Sequence, residues 1–252
     1  MENRGGNTVK KTNENIHFVA NVIYKAAIDE EKEWRKTASA HDITLMDDLL
    51  KEVRKLGYPY RFFADLTNRE NSEKEFWDLL LPYVCRFQDS YLSAALVGVI
   101  GKKGNVAATE MILKSYGMLS KEDKWKNAAF YDNALWKIKD KRHRMDYMEL
   151  LKIPEEATKF PLTMIMLGKW RVEEAKPFFL KYLNADILYH NETISDLTYI
   201  SLEALSYYED ADGAIAKAME EKLNTKDKNL ISATQKAIKR IKRAKEPKNS
   251  KT

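Results

Sequence analysis

Apolar residues recur at helical spacing along most of this chain, and no segment alternates apolar with polar positions as a half-buried strand would. Ile16, Val19, Ile23, Ala26 and Ala27 share one face of a charge-rich helix predicted from Asn13 to about Lys36. A second helix is expected from Thr44, a suitable N-cap, to Leu56, where Gly57 and Pro59 stop it. The stretch from Pro59 to Leu66 predicts a short helix with proline in its first turn. Ser72 and Glu75 then have capping-box spacing ahead of a helix in which Pro82 predicts a kink or a late start.

Beyond Ser90 the pattern repeats. Setting "AALVGVIGKKGNVAATEMILKSY" beside "LTMIMLGKWRVEEAKPFFLKYL" pairs Gly101 with Gly168, Ile100 with Leu167, Lys102 with Lys169, Ala108 with Ala175 and Leu113 with Leu180. A third copy runs from Leu202 to Leu223 with Tyr208 in place of the glycine, and a weaker fourth from Asn133 to Leu151 with Lys139 there. The closing "SATQKAIKRIKRA" reads as one more first-half helix. The spacing of these cores, roughly 30 to 40 residues, is that of helical-pair arrays. The expected class is all-α.

The arrangement of a helix, an "A-L-x-x-[IL]-G-[KD]" corner and an "x-x-A-x-x-x-L" helix resembles HEAT-type repeats, especially the short bacterial sort also found in phycobilin lyases. "LGYPYRFFADLTNRENSEKEFWDLLLPYV" is similar to the lead-in of small bacterial HEAT-repeat proteins with no assigned activity. The resemblance covers roughly Asp42 to Ala244 and implies a right-handed α-solenoid of HEAT-like helical hairpins. It divides the chain into a disordered start (1–12), one solenoid domain (13–244) and a basic disordered tail (245–252).

Charge narrows the partners. The chain carries +5 overall, but the segment from Lys236 onward holds eight basic residues and one acid, a net of +7, which leaves −2 on the rest. The basic character therefore describes a tail, and it gives little reason to expect a cationic body that binds nucleic acid. The tail helix sets Ala237, Ile238 and Ile241 on one side among cations, as a terminal capping helix needs. No apolar run approaches the roughly 18 residues of a membrane span, so no membrane partner is expected. The polar N-terminus lacks the apolar core of a secretory signal, and Cys85 is the single cysteine; a cytoplasmic location is expected.

The glycines of "GVIGKKGNVAATEM" invite comparison with a phosphate loop. A Walker loop needs a preceding strand, four residues between its glycines, and Ser or Thr after the lysine; here two residues intervene and Lys103 stands in that place. The packing reading expects Gly98 to permit close helix approach, Gly101 to supply a left-handed C′ position, and Gly104 to ease the chain into the next helix. The four histidines are scattered with no ligand spacing, so neither a metal nor another cofactor is expected. Paired acids and Cys85 form no coherent catalytic set.

The expected function is a non-catalytic scaffold holding another protein on a concave face. If first-half helices line that face, Tyr91, Asn127, Tyr131, Lys159 and Tyr199 are the candidate partner contacts. The alternative is nucleic acid, held through a basic cluster and the C-terminal tail. "KIKDKRHR" contributes Lys137, Lys139, Lys141, Arg142 and Arg144 as candidate phosphate contacts, with Trp136 and Tyr131 nearby for stacking. HEAT-like alkylation-repair glycosylases pair a cationic groove with tryptophans and an acid. By that resemblance Trp125, Trp136 and Asp132 are the residues to locate, although they do not match that family's motif one by one.

Overall fold

The computed structural model describes residues 6–68, 73–183, 197–210 and 213–245, with side chains from residue 22 to residue 243 of these. Among the described residues every regular element is helical and there is no strand. No helix among them is long and apolar enough to cross a membrane. Contacts group the chain into two compact units, 1–102 and 103–252.

The first unit holds α1 (Gly6–Thr37), α2 (Ala40–Lys55), α3 (Phe63–Asn68), α4 (Lys74–Leu80) and α5 (Ser90–Ile100). Helix α1 begins before the expected Asn13, because nothing between Gly6 and that residue interrupts a helix. In α2, Met46, Leu49, Leu50 and Val53 follow i, i+3, i+4, i+7 spacing and are almost fully buried. Its N-cap is Ser39, whose hydroxyl accepts from Asp42 N, and the expected cap Thr44 instead donates to Ala40 O inside the helix. Pro82 ends α4 in a 3₁₀ turn (Leu81–Tyr83) rather than kinking it. The expected capping residue Ser72 lies outside the described residues, as do 1–5 and 246–252 of the two expected disordered ends.

Carboxylates borrowed from neighbouring segments tie this unit together. Glu31 on α1 accepts from Phe63 N at 2.7 Å, at the start of α3. Asp42 on α2 accepts from Gln88 N and Asp89 N, and Asp89 in turn caps α5 and accepts from Trp34 Nε1 at 2.8 Å. Glu31 and Asp89 satisfy backbone N–H groups that a helix start leaves open, and Asp42 holds the turn that leads into α5.

The second unit holds α6 (Ala108–Met118), α7 (Lys121–Ile138), α8 (Arg144–Glu149), α9 (Pro154–Ala157), α10 (Pro161–Lys169), α11 (Lys176–Leu183), α12 (Leu197–Leu205), α13 (Ala214–Glu220) and α14 (Lys228–Lys245). Helix α10 packs against both α7 and α12, and α12 packs against α14. These four are thus neighbours in chain order. Helices α11 and α13 pack on each other, on α12 and on α14 respectively. The apolar stripe expected on α14 is in place, with Ala237, Ile238 and Ile241 buried.

The corners correct the glycine assignments. Gly101 sits at φ −70 and is not left-handed; the left-handed residue is Gly104, at φ 92. In the aligned copy the same place, three residues on from Gly168, falls to Arg171 at φ 53, and in the Asn133 to Leu151 copy Lys139 caps α7 at φ 56. Tyr208, standing where the third copy lacks glycine, is buried and donates to Val172 O at 2.6 Å. A Cβ at Gly104 would meet nothing within 4 Å, so Gly104→Ala is expected to cost only the backbone conformation. The expected loss is about 1 kcal/mol of unfolding free energy in urea titration.

Candidate functional site

The ends of α7, α10 and α12 carry a series of cations and rings that meets α14. Trp136 lies in the last turn of α7 and Lys139 caps that helix in the left-handed conformation, donating its N–H to Leu135 O. Lys169 is the last residue of α10, Tyr207 follows the end of α12, and Arg240 lies on α14. Because α10 packs between α7 and α12, and α12 against α14, these side chains come together although they are far apart in sequence.

Their geometry alternates charge with aromatic face. Lys139 Nζ lies 4.4 Å from the Trp136 ring centroid and Lys169 Nζ 4.7 Å from the same centroid. Lys169 Nζ is also 5.6 Å from the Tyr207 ring, and the Arg240 guanidinium carbon 4.7 Å from it. The order is Lys139, Trp136, Lys169, Tyr207, Arg240. Cations within about 6 Å of a ring centroid are held by the ring quadrupole, worth 0.5–1 kcal/mol each where solvent reaches them. Lysines at helix C-terminal ends gain a further contribution from the macrodipole.

Acids flank the row. Glu203 accepts from Arg240 Nη1 at 2.7 Å and from the Tyr207 hydroxyl at 2.6 Å. Burial pushes its carboxyl up, but the hydrogen bonds from Tyr207 and Arg240 and the nearby Arg240 and Lys169 charges win, holding it below the usual range. Arg171 is ion-paired with Glu209. Asp140, buried at the turn after α7, accepts from Arg142 Nε at 2.8 Å and Nη2 at 2.7 Å, and its hydrogen bonds with Arg142 keep its carboxyl below the ordinary value.

The expected site residues scatter around this row. Lys137, Lys139, Lys141, Arg142 and Arg144 are all exposed, yet only Lys139 joins it, and Arg142 is turned onto Asp140. Asn127, Tyr131 and Lys159, expected on a partner-facing surface, are instead buried. The Tyr131 hydroxyl lies 2.9 Å from Ser115 Oγ, and its ring meets Tyr116 edge-on at 5.2 Å. Lys159 Nζ donates to Glu156 Oε1 at 2.9 Å and sits 5.7 Å from the Trp125 ring, while Glu156 Oε2 accepts from the Tyr116 hydroxyl. Three of the five expected partner contacts therefore lie in the interior, where Ser115 and Glu156 satisfy the polar heads of Tyr131 and Lys159.

Tyr91 is 59% exposed and lines, with Trp34, Glu31 and Phe63, a cavity of about 140 Å³ in the first unit. Tyr199 is half-buried and donates to Asp227 Oδ2 at 3.0 Å. Asp132, the acid looked for near a nucleic-acid lesion, is buried and caps α10: it accepts from Leu162 N, Thr163 N and Thr163 Oγ. Among the described residues no group of three His, Cys, Asp or Glu is placed to hold a metal ion.

Sequence reasoning passed over Lys169, Tyr207 and Arg240 as functional residues. One signal was present: the repeat alignment sets Lys169 against Lys102, a cation recurring at the same corner. No protein-family model, curated protein or solved structure matches this chain.

Proposed function

We propose that this chain is a cytoplasmic HEAT-like α-solenoid whose work is to hold another protein. One observation carries the reading: α7, α10, α12 and α14 pack neighbour to neighbour in chain order and expose a continuous series of side chains from the ends of the first three onto α14. Stacked helical pairs bury their apolar faces against one another, which frees the exposed positions for recognition along an extended surface. Arginine and aromatic residues are enriched at protein interfaces, and both are present here.

Cross-linking in the native host followed by affinity purification tests this. The expected result is a defined protein recovered with the chain after nuclease treatment. Recovery of nucleic acid alone, with all association abolished by nuclease, overturns it.

A further inference from the structure

The row from Lys139 to Arg240 is a surface of a particular kind. Each of its two rings is approached by two cations, so each cation is held by an aromatic face rather than swinging free in water. A lysine held in this way surrenders less side-chain entropy when an anion arrives, since part of its rotamer freedom is already gone. Trp136 and Tyr207 are half-buried while Lys139, Lys169 and Arg240 are exposed. Rings in this setting orient charge outward.

That arrangement discriminates among anions. Single-stranded nucleic acid draws much of its sequence-tolerant affinity from bases stacking on aromatic faces. A base could stack on Trp136 or Tyr207 only by displacing a cation that the ring already holds. Duplex nucleic acid needs no stacking, but it presents a dense, continuous line of negative charge. Glu203, which accepts from Arg240 and from the Tyr207 hydroxyl, lies beside the row and would meet that line with like charge. A peptide can set carboxylates only where a cation waits and place apolar side chains elsewhere, against the ring edges and the lysine stems.

We propose that the Lys139–Trp136–Lys169–Tyr207–Arg240 row is the docking surface for an acidic segment of the partner protein, one in which Glu or Asp alternates with apolar residues. This deepens the protein-binding reading and rests on it. Lys169, touching both rings, is the centre of the surface, and the carboxylates of the segment bind Lys139, Lys169 and Arg240.

The test uses the full chain and a labelled peptide alternating glutamate with leucine and serine, with a DNA duplex as competitor. The expected result is salt-dependent peptide binding, weakened roughly ten-fold by Lys169→Ala with Arg240→Ala. The Lys114→Ala, Lys121→Ala control removes equal charge from exposed positions elsewhere and is expected to leave binding unchanged. Trp136→Leu keeps every cation and an apolar side chain, so a loss with that variant, at unaltered helical circular dichroism, reports the ring-held geometry rather than net charge. No peptide binding at low salt, or binding that the row variants leave unmoved, overturns the docking surface while leaving the protein-binding reading in place. DNA that displaces the peptide and loses affinity with the same variants overturns both.

Discussion

Gly168→Ala is expected to lower the unfolding free energy by about 3 kcal/mol, at the upper end of what overpacking a close-fitted interior costs. The reason is backbone against backbone. Gly168 lies in α10 where that helix crosses α12, and a Cβ there would stand 2.5 Å from Ala204 O and 2.7 Å from Ala204 Cα. Neither atom belongs to a flexible side chain that could rotate aside, so one helix must move away from the other. Leu167 and Ala204, both fully buried, would lose packing as it did so. Urea unfolding followed by circular dichroism measures the loss. A change below about 0.5 kcal/mol, the usual range for an unimportant surface position, would show that the α10–α12 crossing yields easily. Gly104→Ala provides the comparison, since the cost there is conformational and no neighbour crowds the site.

These two glycines show how far the sequence reaches. Alignment of the repeats points to the corners, but glycine takes the left-handed place only at Gly104, while Arg171 and Lys139 take it at two others. Which physical role each glycine plays, a left-handed φ or a close approach, depends on where a second helix lies, and local pattern carries no information about that. The same limit explains the N-terminus of α2. Thr44 and Ser39 are both capping residues by type, and the helix starts at the earlier one, where the Ser39 hydroxyl accepts from Asp42 N. The helices themselves were legible because 3.6-residue periodicity is a local property.

The candidate site was less legible, for a related reason. Asn127, Tyr131 and Lys159 have polar heads, which suggests a wet face, but Ser115 and Glu156 give Tyr131 and Lys159 partners inside the protein. Trp136 and Lys169 lie at the ends of α7 and α10, Tyr207 just beyond α12 and Arg240 within α14, and only the packing of these helices brings them together. Lys139 alone among the basic cluster was both noticed and brought into the row. Its left-handed backbone turns the chain at the end of α7, placing its ammonium over Trp136, while Lys137 stays within α7 and Lys141, Arg142 and Arg144 follow in the next turn and helix.

Asp132→Ala is expected to cost about 3 kcal/mol at pH 5, because it strips three donors of one acceptor inside the protein. Leu162 N and Thr163 N are open N–H groups of the first turn of α10, and Thr163 Oγ points at the same carboxylate. With Asp132 3% exposed, water cannot readily replace it. The acid sits on α7, so its loss also loosens the junction of α7 with α10, on which the ring of Trp136 meets Lys169. Burial pushes the Asp132 carboxyl up to about 6, with the hydrogen bonds from Thr163 and Leu162 opposing the rise. A folded value above the unfolded one means that Asp132 stabilises most when protonated. Its contribution is complete below about pH 4 and is lost as pH rises through about 6. The gap between wild type and Asp132→Ala is therefore expected to narrow by roughly 1 kcal/mol between pH 5 and pH 7. Paired urea titrations at the two pH values measure it. A gap that widens toward pH 7 would mean that the three hydrogen bonds outweigh burial and hold the carboxylate ionised; a gap near zero at both would mean that α10 finds another cap.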